Sequence, residues 1–102
     1  MKTSLRVGSR SSKAIPALTV NIGGYVLYVY ERDGLWIARV ERQPGPVMLF
    51  SAISQEDAKT RAIKAALKDQ GMSPVDIEAV SHREHDWKPC TVNFPTLLDP
   101  QT

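Results

Sequence analysis

The stretch YVLYVYERDGLWIARVE, Tyr25 to Glu41, carries large side chains at both odd and even positions and folds back at Asp33-Gly34. An Asp-Gly pair between two β-branched and aromatic runs predicts a two-residue hairpin turn, because both turn positions need positive φ to follow the strand twist. Tyr25–Arg32 and Leu35–Arg42 are therefore read as neighbouring antiparallel strands. Upstream, Leu18, Val20 and Ile22 alternate with Thr19 and Asn21 and end at Gly23-Gly24, a second two-residue turn. Downstream, Gln43-Pro44-Gly45-Pro46 reads as a four-residue loop leading into a fourth strand, Val47 to Ile53.

Turn length sets register, and register sets which side chains share a face. With these three loops Thr19 lies opposite Tyr28, Tyr28 opposite Arg39, and Arg39 opposite Phe50. One face then gathers Leu18, Val20, Ile22, Tyr25, Leu27, Val29, Trp36, Ala38, Val40, Val47, Leu49 and Ile53, and is expected to be the core. The other carries Thr19, Asn21, Val26, Tyr28, Tyr30, Arg32, Leu35, Ile37, Arg39, Glu41, Met48, Phe50 and Ala52. That second face is aromatic and basic, too apolar for plain solvent.

Ser54-Gln55-Glu56-Asp57 predicts a helix start, with Ser54 as N-cap and two carboxylates beside the positive helix end. Gly71 predicts its stop. Between them Ala58, Ala62, Ile63, Ala65, Ala66 and Leu67 form an apolar face suited to lying close on a sheet, while Asp57, Arg61, Lys64 and Lys68 line the other side. Ile77–His82 is read as a fifth strand in preference to a short helix capped at Ser73. Residues 87–102, with Pro89, Pro95 and Pro100, read as an extended strap. Residues 75–102 are expected to lay Ile77, Val80, Trp87, Val92, Phe94, Leu97 and Leu98 across the second face. The fold class is thus α+β: an antiparallel meander of four to five strands packed in two layers against one main helix. Residues 1–16 form a basic arm and 17–102 a single domain.

The chain has 102 residues, 42% of them apolar and 24% charged, as expected of one globular domain. No apolar run is long enough to cross a bilayer. The single cysteine, Cys90, excludes an internal disulfide, and without an apolar leader the expected location is intracellular, in the cytoplasm. The net charge of +2 is unevenly spread: the first thirty residues hold Lys2, Arg6, Arg10 and Lys13 and no acid.

No general acid/base or nucleophilic constellation stands out, so the expected function is non-catalytic binding, with no cofactor. Nucleic acid leads as partner: Tyr28 and Phe50 would stack on bases, Arg32 and Arg39 would hold phosphates, and Arg61, Lys64, Lys68, Arg6, Arg10 and Lys13 would add charge. An acidic protein surface is the chief rival, making the chain a protein-binding regulator or inhibitor, with a homodimer through the sheet as a further alternative. A metal-dependent hydrolase is third. It rests on His82, His85 and Cys90 in SHREHDWKPC, which would supply three zinc ligands only if a helix put both histidines on one side.

The segments Gly34–Val40 and Phe50–Ala58, with Ala62, resemble the small DNA-binding modules of tyrosine recombinases, built of three strands followed by one helix. The resemblance covers roughly a third of the chain and implies a sheet entering the major groove, with Arg32 and Arg39 meeting the DNA. The same pattern recurs in unrelated two-layer domains, so no family is assigned from it.

Overall fold

A computed structural model describes residues 14–42 and 44–93 of the chain. Five strands, β1 (Ile15–Ile22), β2 (Tyr25–Arg32), β3 (Leu35–Arg42), β4 (Val47–Ala52) and β5 (Lys88–Val92), form one antiparallel sheet in the order β4-β3-β2-β1-β5. Two helices, α1 (Gln55–Asp69) and α2 (Pro74–Ser81), lie between β4 and β5 in the chain. The expected α+β two-layer class is what the chain adopts. Residues 1–13, Arg6, Arg10 and Lys13 included, and Phe94, Leu97 and Leu98 lie outside the described residues, whereas Ile15 and Pro16, expected at the end of the arm, open β1 and pair with β5.

The first two hairpins have the expected register, with Thr19 opposite Tyr28 and Tyr28 opposite Arg39. Their turns explain it: Gly23, Gly24, Asp33 and Gly34 all have positive φ, the mirror-image turn that suits twisted strands. The third hairpin differs. Phe50 pairs with Ala38, and Arg39 pairs with Leu49. The Arg42 amide donates to the Pro46 carbonyl at 3.3 Å, so the ladder runs one step further than a four-residue loop permits. Proline lacks an N–H, yet its carbonyl still accepts, and pairing Arg42 with Pro46 leaves an odd number of residues in the loop.

That one-residue slip turns every β4 side chain over. Met48, Phe50 and Ala52 join the core face, whereas Val47, Leu49 and Ile53, expected in the core, are 45%, 40% and 90% exposed. The rest of the core is as expected: Tyr25, Leu27, Val29, Ala38 and Val40 meet Ala58, Ala62, Ile63, Ala66 and Leu67 of α1.

Both ends of α1 follow from local chemistry. The Ser54 hydroxyl accepts from the Asp57 amide at 3.1 Å. At the other end Gly71, at φ +89°, lets its own amide reach Lys68 O and the Met72 amide reach Leu67 O, satisfying two terminal carbonyls. Residues 77–82, expected as a strand, belong mostly to α2. Ser73 caps this helix through the Asp76 amide, Pro74 fills its first turn, and Ile77 and Val80, three apart, reach the main core together. The fifth strand is instead Lys88–Val92, beside β1.

The second face has its own smaller cluster, in which Ala17, Tyr30, Ile37 and Val92 are buried and Ile15, Tyr28 and Cys90 pack around them. Val92 and Cys90 reach it from within the sheet. Ile77, Val80 and Trp87, expected to cover it, pack on the helix side instead.

All three tyrosines titrate above the usual 10.0: Tyr25 chiefly through its hydrogen bond to Asp69, Tyr28 and Tyr30 chiefly through burial. Unfolded tyrosines lose their protons near pH 10.0, so above that pH the native state holds more protons than the unfolded one. Stability should therefore fall as pH rises from 10 through the folded-state values. Tyrosinate absorbance of the native protein should appear at higher pH than in denaturant; coincident titrations would contradict these environments.

Candidate functional site

The row expected to stack on bases is not assembled. Tyr28 packs in the second cluster, and Arg39 Nε meets Glu41 Oε2 at 2.7 Å on that same face. Arg32 stands at the far end of β2, beside the Asp33-Gly34 turn. Phe50 lies on the opposite side of the sheet, under α1.

Phe50 instead meets the basic stripe of α1. Met48 and Phe50 from β4, with Arg61, Lys64, Ala65, Lys68 and Asp69 from α1, line a groove of about 560 Å³. Four of the residues singled out from the sequence, Phe50, Arg61, Lys64 and Lys68, thus come together here. Met48, Ala65 and Asp69 are not among the expected site residues; the shifted β4 register is what brings Met48 in.

The groove has an apolar floor and cationic walls. Arg61 Nε lies 3.1 Å from Asp57 Oδ2, and Lys64 Nζ lies 3.3 Å from Glu78 Oε1. Asp57 titrates below its usual range, first because it accepts the Ile53 amide and then because Arg61 bonds to it; Glu78 does so first through His82 and then through Lys64. These acids stay ionised and pair with the charged groups of Arg61 and Lys64. Lys68 stands in the last turn of α1. Asp69 closes that end, accepting from the Tyr25 hydroxyl and from Arg42 Nη1 at 3.3 Å.

Along a helix axis, residues three and four apart are separated by about 4.5 and 6 Å, so Arg61, Lys64 and Lys68 form a ladder of positive charge along one wall. A ligand with negative groups at similar spacing and an apolar part to cover Phe50 would match it.

The three metal candidates are not brought together as one ligand set. His82 Nε2 lies 3.0 Å from Glu78 Oε2, and His85 Nε2 lies 3.0 Å from the Val80 carbonyl. Both line a second, polar cavity of about 390 Å³ with Lys59, Glu56 and Trp87. Cys90, on β5, pairs with Ala17 of β1, its thiol pushed up by burial. Among the described residues no group of three His, Cys, Asp or Glu side chains could hold a metal ion. No helix among them is long and apolar enough to cross a membrane.

Comparison with protein-family models, with curated proteins and with solved structures finds no match to this chain.

Proposed function

We propose that this chain is a non-catalytic binding module whose ligand is an acidic polypeptide segment seated in the groove between α1 and β4. The observation that carries this reading is the meeting of Phe50 with Arg61, Lys64 and Lys68 on one concave surface. Aromatic and cationic side chains on a half-covered apolar floor suit a ligand that offers carboxylates and aliphatic groups together.

A protein ligand is favoured over nucleic acid by two features. The region from residue 14 to 93 carries nine basic against ten acidic residues, a poor source of counterion release. The aromatic side chains that would stack on bases are also divided, Tyr28 on one face and Phe50 on the other. The nucleic-acid alternative draws its charge from Arg6, Arg10 and Lys13 in the N-terminal segment.

A photoreactive phenylalanine analogue at position 50 tests the proposal. Cross-linking in cell extract should yield polypeptide adducts that survive nuclease treatment and disappear when Arg61 and Lys68 are both changed to glutamate. Nuclease-sensitive adducts, or polypeptide adducts indifferent to the charge reversal, would refute it.

A further inference from the structure

We infer that the outer edge of β4 accepts the ligand as an added sixth strand, whose residues alternate between acidic, toward α1, and apolar, toward Val47 and Leu49. This rests on the groove proposal above and specifies how the ligand is held.

The two edges of the sheet are built differently. β5 is five residues long and includes Lys88 and Pro89, two devices that discourage further pairing. β4 reads Val47-Met-Leu-Phe-Ser-Ala52, without charge or proline, and no described strand pairs with its outer side. An uncharged apolar edge of this kind is a template for another strand.

Hydrogen-bond alternation identifies the groups that point outward. Arg42 N bonds to Pro46 O, so Arg42, Val40, Ala38 and Trp36 direct their backbone toward β4, and Met48, Phe50 and Ala52 direct theirs back. The amides and carbonyls of Val47, Leu49 and Ser51 therefore face away from the sheet. A strand added there places residues opposite Met48 and Phe50 on the α1 side, beneath Arg61, Lys64 and Lys68, where glutamate can cover Phe50 with its methylenes and reach a cation. Residues opposite Val47 and Leu49 emerge on the other face, beside two exposed aliphatic side chains. Charge argues against a second copy as occupant. Two-fold pairing of β4 with itself puts both α1 helices on the same side of the joined sheet, so that each basic ladder faces its own copy.

The test uses the full-length chain and an octapeptide alternating glutamate and valine at neutral pH, with an isomer that carries its four glutamates in one block. The alternating peptide should bind more tightly than the isomer and slow exchange of the Leu49 amide. Leu49→Pro removes an outward N–H while leaving the β3 ladder intact, so the variant should keep its circular dichroism and lose at least about tenfold in affinity. Arg61→Glu with Lys68→Glu should also weaken binding. If charge reversal weakens binding but Leu49→Pro, the blocked isomer and Leu49 exchange show no difference, strand addition is wrong and the groove proposal survives. If neither variant matters, both fail. Displacement of the peptide by a lower concentration of a random single-stranded oligonucleotide, or a free chain that is dimeric until Leu49→Pro is introduced, would also overturn the inference, assigning the edge to nucleic acid or to a second copy.

Discussion

Leu27→Ala is expected to destabilise the protein by about 3–5 kcal/mol, the cost of removing a fully buried leucine when its surroundings cannot collapse into the space. Leu27 is 0% exposed on β2, the middle strand of five, and belongs to the cluster that joins the sheet to α1. Neighbours on both flanking strands and a helix above prevent closure of the cavity. Domains of this size have total stabilities of roughly 5–15 kcal/mol, so much of the margin should disappear. Urea unfolding monitored by circular dichroism gives the value. Leu49→Ala in the same series should change stability by about 0.5 kcal/mol or less, because Leu49 is 40% exposed on the outer strand. Equal losses at the two positions would mean that β4 keeps the register of a four-residue loop.

Ala62→Leu is expected to cost about 1–3 kcal/mol for the opposite reason, since the added methylenes have no space to enter. Ala58, Ala62 and Ala66 are each 0% exposed at successive turns of α1, and together they set how closely the helix approaches β2 and β3. A leucine at the middle position must lift the helix or take a strained rotamer. Ala65, partly buried at the groove rim, should accept leucine with a much smaller loss. Equilibrium unfolding of the two variants side by side checks this; equal behaviour would show that α1 does not press on the sheet at Ala62.

The first two hairpins were legible because each is governed by a two-residue turn whose glycines, with Asp33, take the positive φ that the turn demands. α1 was legible for a similar reason: its cap, its stop and its alanine face are all written within twenty residues. The register of β4 departs from the sequence expectation at Pro46. Proline marks the loop by its missing N–H, and its carbonyl, which carries the last rung, leaves no trace in composition. Residues 77–82 depart from the expected strand because Ile77 and Val80 suit a strand or a helical turn equally well until the main core is there to receive them.

Of the candidate site, the Arg61, Lys64 and Lys68 stripe could be read directly, being a matter of helical spacing. Its meeting with Phe50 could not, because it depends on the β4 register. His82, His85 and Cys90 are neighbours in sequence, but His82 at the end of α2 meets Glu78, His85 in the following segment turns back to the Val80 carbonyl, and β5 carries the thiol into the second cluster.

By itself the sequence determined the two-layer class, the three central strands, the helix and its caps, and the residues that join them. These depend on φ preferences, capping hydrogen bonds and periodicity, which act over a few neighbouring residues. Only the tertiary structure decided which side of β4 faces α1, that β5 lies beside β1, and that no described strand pairs with the opposite edge. Those outcomes turn on one carbonyl reaching across a loop and on a strand recruited from more than sixty residues away in the chain. Contacts of that range have no local pattern to announce them.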